Sequence, residues 1–373
     1  MKKAAGIITE RGGRTSHAAI VSREFGIPAV VGTPNALTIL KDNQVVTVNG
    51  KSGEIFSGSV LISEKTRPEP EFTKKTATKL YVNLAEPELA EKVSMMNVDG
   101  IGLLRAEFMI AQIGTHPKKF IKDKKEQVFI DKLAENISSF CKAFYPRPVL
   151  YRATDFKTNE YSHLRGGKEY EVTESNPMLG YRGAFRYVRD KSVFLLELEA
   201  LKKVREKMGF NNLNLMIPFV RTVKELVDVK KIISDAGLRR SHTFKLFMMA
   251  EIPANVILIE DFINTGIDGV SIGSNDLTML VLGIDRDNSE VAPEFDERNE
   301  AVLWSLERVI KACNKHNIPV SICGQAPSVY PSLVEKLVEF GVTSISVSPD
   351  AVSNTKRIIY AAERKILERI SKK

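Results

Sequence analysis

Several side chains in this 373-residue chain stand where phosphoryl or proton chemistry could use them. His17 follows Gly12-Gly13-Arg14-Thr15-Ser16 and opens an amphipathic stretch, Ala18 to Phe25, stopped by Gly26 and Pro28. The two glycines allow close backbone approach, and Thr15 or Ser16 can cap a helix whose free N–H groups would stabilise a phosphate on His17, with Arg14 adding donors. Arg105, Arg152 and Arg182 fall at the ends of apolar runs or on a polar excursion; their planar forks suit a ligand bearing both carboxylate and phosphate. Glu251 and Asp276 follow otherwise apolar runs. Carboxylates so placed need a partner, and two of them can share Mg²⁺ while leaving positions for substrate oxygens. Cys323 ends the apolar run Ile318 to Ile322 and starts the turn Gly324-Gln325-Ala326-Pro327, where a thiol can exchange a proton with carbon.

Each of these residues also has an ordinary reading. A helix histidine more often packs or solvates, a single arginine more often makes a surface ion pair, and an unpaired cysteine is usually a small buried hydrophobe. Cys141 and Cys313, inside helical segments, are read that way. The chemical reading rests on the elements that would bring the residues together.

Eight β-branched runs alternate with longer amphipathic segments after residue 80. The runs are Tyr81 to Leu84, Gly100 to Leu104, Val149 to Arg152, Leu213 to Ile217, Lys245 to Ala250, Gly269 to Ile272, Pro319 to Ile322 and Ser344 to Val347. Helices are expected at Pro87 to Met95, Phe120 to Phe144, Leu195 to Met208, Val223 to Ala236, Pro253 to Asn264, Asp296 to His316, Ser328 to Phe340 and Asn354 to Arg369. This is the arithmetic of an α/β fold, a closed (β/α)₈ TIM barrel, with a doubly wound open sheet as the competing arrangement. The barrel is favoured because Arg105 and Glu107, Arg152 and Asp155, Glu251, Asn275 and Asp276, and Cys323 with Gln325 all follow strand runs. In a barrel they converge on one face.

Residues 1–63 form a separate β-rich unit, with strands at Ala29 to Val31, Val45 to Val48 and Glu54 to Phe56 and one short helix. Residues 64–79, EKTRPEPEFTKKTATK, read as a linker, and the barrel occupies 80–373. Apolar residues at 43% and charged residues at 27% exclude a disordered or fibrous chain. The net charge of +8 favours anionic ligands, but it is dispersed and no zinc-finger or RNA-binding signature accompanies it, so no nucleic-acid partner is expected. Three scattered cysteines exclude a disulfide framework and point to a cytoplasmic location. No apolar stretch is long enough for a membrane span, so no membrane partner is expected.

The run GGRTSHAAIVSREFGIPAVVG, Gly12 to Gly32, closely resembles the phosphohistidine swivelling domain of the phosphoenolpyruvate-utilising enzymes, and the chain from Tyr81 onward resembles their barrel domain. The resemblance implies that His17 carries the phosphoryl group and that Arg105 and Arg152 bind the phosphate and carboxylate of phosphoenolpyruvate. It further implies that Glu251 and Asp276 ligate Mg²⁺, and that Gly273, Ser274, Asn275 and Asp276 line the substrate with Arg182 and Asn159 close by. The string CGQAPS implies that Cys323 moves a proton to or from C3. Ala250 departs from the pattern, standing where many relatives carry cysteine.

Within the family, TDFKTNEY from Thr154, GIDRD from Gly283 and CGQAPS resemble phosphoenolpyruvate synthases, with pyruvate as the other substrate. Pyruvate phosphate dikinase, the first enzyme of the sugar phosphotransferase system, and a non-catalytic regulatory or scaffold relative are the alternatives. Only sixteen residues precede His17, so the swivelling domain is expected to be incomplete at its N-terminus. The ATP-dependent charging of His17 is then lost or supplied by a separate ATP-grasp polypeptide. The resemblance also implies a homodimer formed through the barrel domain.

Overall fold

The computed structural model describes residues 4–13, 17–61, 72–285, 288 and 290–372. Arg14, Thr15, Ser16, most of the expected linker and part of the GIDRD string lie outside them. The N-terminal unit holds a parallel pair, β1 (Ile7–Ile8) with β2 (Ala29–Val30), and an antiparallel hairpin, β3 (Val46–Asn49) with β4 (Glu54–Ser57). The expected strands are present, joined by the short β1 and by a second short helix, Ala36–Ile39. His17 is the first described residue of the helix His17–Glu24.

The eight runs become β5 (Lys79–Leu84), β6 (Ile101–Arg105), β7 (Val149–Arg152), β8 (Leu213–Ile217), β9 (Leu246–Ala250), β10 (Gly269–Ile272), β11 (Val320–Ile322) and β12 (Ser344–Val347). All are parallel, each pairs with the next in sequence, and β12 closes on β5. The closed sheet excludes the open doubly wound alternative. Residues of β8, β10, β11 and β12 are buried throughout, as strands covered on one face by helices and on the other by the barrel interior must be. The helix Glu126–Phe144 turns Phe129, Leu133, Ile137, Phe140 and Phe144 onto the sheet at three- and four-residue spacing.

Several expected helices are broken at identifiable residues. The segment Phe120 to Phe144 divides into Pro117–Lys122 and Glu126–Phe144 because Lys124 takes a left-handed conformation, φ 54°. Pro331 ends one short helix and opens Pro331–Phe340, since its ring cannot continue a helix from the preceding turn. Two unexpected helices, Ala106–Ile113 and Ser274–Leu282, follow β6 and β10 directly. Both are apolar on most sides and carry no clean amphipathic period, which hides them in the sequence.

The C-terminal part of the expected linker, 72–79, is seated on the barrel. The Phe72 ring packs edge-on against Tyr360, the Glu363 carboxylate accepts the N–H groups of Ala77 and Thr78, and Lys79 already belongs to β5. The helix His17–Glu24 lies on the opposite, C-terminal end of the barrel. There Phe25 meets Phe108 edge to face at 5.9 Å and Arg23 reaches Asp350. Among the described residues no helix is long and apolar enough to cross a membrane.

Candidate active site

The C-terminal ends of the strands enclose a cavity of about 390 Å³, roofed in part by Val21 of the N-terminal helix. Arg105 and Arg152 are register partners at the ends of β6 and β7, so their guanidinium groups enter the cavity side by side. Arg152 pairs with Glu107 at 3.0 Å, and its Nε is buried without a partner. Burial opposes the charge on Arg152, but Glu107, Asp155 and Glu251 more than offset it and hold the guanidinium above its ordinary pKa. Arg182, at the end of the long excursion after β7, forms a fork onto Asp155 at 3.0 and 2.5 Å and extends to Asp276 at 3.0 Å. Its guanidinium stacks 4.0 Å above the Phe219 ring.

Asp155, Glu251 and Asp276 are all buried, and one carboxylate oxygen from each lies within 4.8 Å of the other two. Glu251 follows β9, and Asp276 sits in the first turn of the helix Ser274–Leu282. Burial first, then the charges of Asp276 and Asp155, push the Glu251 carboxyl up to about 8 against the opposing pull of Arg152 and Arg182. Three crowded carboxylates on separate elements form a hard-oxygen donor set, and a divalent cation would relieve their repulsion. These residues fit a cation, and the guanidinium of Arg182 already answers part of their charge.

The backbone makes room for this cluster at two places. A Cβ on Gly273 would lie 3.0 Å from Glu251 Cβ and Oε2, so a side chain there would crowd the carboxylate. Phe219, just past β8, adopts φ 46°, a conformation unfavourable for a bulky residue, and its N–H donates to Glu251 Oε1 at 2.6 Å.

Cys323 follows β11 at the cavity floor and is 2% exposed. Ser271 Oγ donates to its sulfur at 3.2 Å, and Asn83 Nδ2 donates to its carbonyl at 3.2 Å. Burial pushes the thiol up to about 11, with the Ser271 hydroxyl and the charges of Arg152 and Arg105 pulling the other way. A group so shifted is a protonated acid at neutral pH.

Two family models match the chain: the PEP-utilising enzyme PEP-binding domain over residues 63–364 and the PEP-utilising enzyme mobile domain over residues 1–53. The chain belongs to the PEP-utilising enzymes. Among its relatives, a probable phosphoenolpyruvate synthase of Staphylothermus marinus is 49% identical, with 100% of this chain and 47% of the relative covered. The phosphoenolpyruvate synthase of Aeropyrum pernix is 48% identical, covering 99% of this chain and 47% of the relative. That of Helicobacter pylori is 44% identical, covering 99% and 48%. The chain thus spans about half the length of these curated relatives.

In this chain, Arg105, Arg152, Arg182, Glu251, Gly273, Asn275, Asp276 and Cys323 all line the same cavity. Ser274 stands behind it: its hydroxyl donates to Glu297 at 2.6 Å, and a Cβ on Gly324 would collide with that hydroxyl. Asn159 stays outside, exposed on the short helix Thr158–Ser162, while the neighbouring Lys157 and Glu160 take the cavity-facing positions. His17 is placed only as the first described residue of its helix. The sequence marks Asp155 in the loop after β7 but does not assign it to the carboxylate cluster. Glu107 stands out there only as a strand-end polar residue. Phe219 carries no signal, because a left-handed non-glycine residue cannot be read from composition.

Proposed function

We propose that this chain carries the phosphoryl-transfer half of a phosphoenolpyruvate synthase-type reaction, between His17 and the enolate of pyruvate, with Mg²⁺ as its cation. The observation that carries this reading is the convergence of paired arginines, three buried carboxylates and a buried thiol on a single cavity. Arg105 and Arg152 would take the phosphate and carboxylate of phosphoenolpyruvate, with the unpartnered Arg152 Nε available as a donor. Glu251 and Asp276, joined by Asp155, would hold Mg²⁺, which when bound neutralises charge on the phosphoryl group and the enolate oxygen. Gly273 and Asn275 would border the substrate.

Toward pyruvate, the P–O bond of phosphoenolpyruvate breaks as a P–N bond to His17 forms, and Cys323 gives its proton to C3 of the enolate. Toward phosphoenolpyruvate, the thiolate of Cys323 removes a methyl proton, and the enolate oxygen attacks phosphorus on phospho-His17, forming the P–O bond as the P–N bond breaks and the imidazole of His17 leaves. The resting thiol, raised by burial, carries the proton that the first direction consumes, and the second direction starts from its thiolate.

The reading extends to a homodimer formed through the barrel, which would bury the exposed Ile257 and Trp304. These lie on touching elements, with Arg308 of the Trp304 helix donating to the Ile257 carbonyl at 3.1 Å. It also extends to ATP-dependent charging of His17 by an ATP-grasp module on another polypeptide, and to a cytoplasmic location, in keeping with three free cysteines. Incubation with phosphoenolpyruvate and Mg²⁺, followed by intact-mass analysis at alkaline pH, tests the transfer. One added phosphoryl group, lost in His17→Ala, is expected; an unmodified chain under conditions where phosphoenolpyruvate binds would overturn it.

A further inference from the structure

Glu197 is a fully buried carboxylate that takes no part in the proposed chemistry. It lies on the helix Lys191–Lys202, behind the barrel wall, and does not line the cavity. Both its oxygens accept from the Thr154 N–H, at 3.2 and 3.3 Å. From the other side of the same residue, the Tyr187 hydroxyl donates to the Thr154 carbonyl. One residue on, the Asp155 N–H donates to Glu107 Oε1 at 2.5 Å.

The last barrel-type backbone bond here is Ala153 N–H to the Met216 carbonyl, at 3.0 Å. Beyond it the chain leaves the sheet, and the Thr154 N–H, the Thr154 carbonyl and the Asp155 N–H are held by side chains from three separate helices, those of Glu197, Tyr187 and Glu107 respectively. Burying a carboxylate is costly, and no cation among the described residues pairs with Glu197. Its carboxyl is pushed up to about 8, by burial first and then by the Glu107 charge, against the Thr154 N–H and, more weakly, the Tyr151 phenol. The surrounding phenols of Tyr151, Tyr161 and Tyr187 are held well above their ordinary values, by burial first and then by Glu197. A buried hydrogen bond of this kind holds its partner in place, and the residue next to Thr154 is Asp155 of the carboxylate cluster.

We propose that Glu197 is a positioning residue: by holding the Thr154 amide it sets the place of the Asp155 carboxylate relative to Glu251 and Asp276, and so tunes cation affinity from outside the cavity. This rests on reading the carboxylate cluster as the cation site. Tyr187 holds the same residue by its carbonyl and acts in the same direction.

The test is Mn²⁺ binding to the full chain, followed by electron paramagnetic resonance, beside metal-free phosphoenolpyruvate binding by calorimetry and thermal melting. Wild-type protein should bind Mn²⁺ and Asp155→Asn should bind it poorly; failure of the wild type to bind would overturn the cluster reading and the inference with it. Glu197→Leu should weaken Mn²⁺ binding by about 10-fold or more, the scale of lost support behind metal ligands. Glu197→Gln, whose carbonyl still accepts the Thr154 N–H, should stay within about threefold of wild type. Metal-free phosphoenolpyruvate affinity should stay level in the Glu197 and Tyr187 variants, which a general loosening of the fold would not allow. If Glu197→Leu does not fold, Tyr187→Phe decides: a weakened Mn²⁺ affinity at wild-type melting temperature supports the inference. Wild-type Mn²⁺ affinity in folded Glu197→Leu, or in Tyr187→Phe where that variant must decide, overturns it.

Discussion

Arg23 and Asp350 join the N-terminal unit to the rim of the barrel: the guanidinium Nη2 lies 2.9 Å from the Asp350 carboxylate, and Nε meets both carboxylate oxygens at 3.2 Å. Nη1 of the same guanidinium lies 3.4 Å from Gln325 Oε1, two residues beyond Cys323, so the helix that carries His17 touches the loop that carries the thiol. The pair is partly exposed, 27% on Arg23 and 61% on Asp350, which limits it to about 0–1 kcal/mol. Asp350→Ala should therefore slow phosphorylation of His17 by phosphoenolpyruvate up to roughly fivefold at low salt, with substrate affinity unchanged. Raising the salt should bring the wild type down to the variant, and exchanging the two charges should restore the rate. Rapid-quench mass analysis reads all three; a variant as fast as wild type at low salt would show that the contact does not guide docking.

Cys323→Ala should abolish exchange of the pyruvate methyl protons, a loss of about 10²-fold or more, while phosphoenolpyruvate binding is retained, because the thiol works on carbon and does not anchor the anion. Proton NMR of pyruvate in D₂O measures the first and calorimetry the second. Since burial lifts the thiol to about 11, the thiolate fraction of the cation-free protein grows with pH across the neutral range. Alkylation of Cys323 by iodoacetamide should accordingly accelerate about tenfold per pH unit between roughly 7 and 9. Residual exchange at the wild-type rate in the alanine variant would assign the proton transfer to another base.

Asn159 and Arg152 separate what the string TDFKTNEY implies from what the fold does with it. Asn159 is exposed outside the cavity, so Asn159→Ala should leave phosphoenolpyruvate affinity within about 0.5 kcal/mol of wild type. Arg152→Lys keeps the charge but loses the planar fork, and should cost about 1.5–3 kcal/mol of binding, a charge-assisted hydrogen bond's worth. Calorimetry of both variants decides, and comparable losses in the two would place Asn159 in the binding site after all.

The barrel is legible in the sequence because its signal is repetitive. Eight short apolar runs separated by amphipathic segments define the strands, and the structure shifts their ends by no more than two residues. The site is legible where a polar residue ends such a run or directly follows it, as Arg152 does in the first way and Arg105, Glu251 and Cys323 in the second. It is less legible where position depends on a helix with no amphipathic period. Asp276 stands out by its place after a run, but the helix Ser274–Leu282 that aims it does not, nor does the turning away of Ser274 toward Glu297. Asp155 shows the remaining limit. Its place beside Glu251 and Asp276 is set by the Glu197 and Glu107 hydrogen bonds and by the fork of Arg182, contacts spanning 27 to 48 residues that no local pattern encodes.

Glu251 links the cation site to stability, and the sign is set by its shifted carboxyl. In the fold the group is pushed up to about 8, above its ordinary 4.5, so between those values the folded chain holds a proton that the unfolded chain has released. Its contribution is therefore fully present below about pH 4.5 and is lost as pH rises through about 8. Glu251→Gln fixes the neutral form, and its amide oxygen can still accept the Phe219 N–H that Glu251 Oε1 now accepts at 2.6 Å. Without added cation, the variant should melt progressively higher than wild type as pH climbs from about 5 to 8.5. An effect of about 1 kcal/mol moves Tm by roughly 2–4 °C for a domain of this size. Glu197 is shifted in the same direction and remains in the variant, so part of the slope should persist. Added Mg²⁺ should raise the wild-type Tm at about pH 8 and barely move the variant, because binding to the fold alone stabilises it and the variant has lost a ligand. Thermal melts across this pH range, with and without Mg²⁺, carry the test. Wild-type and variant curves that run parallel at every pH would mean that Glu251 is not the strained carboxylate of this site.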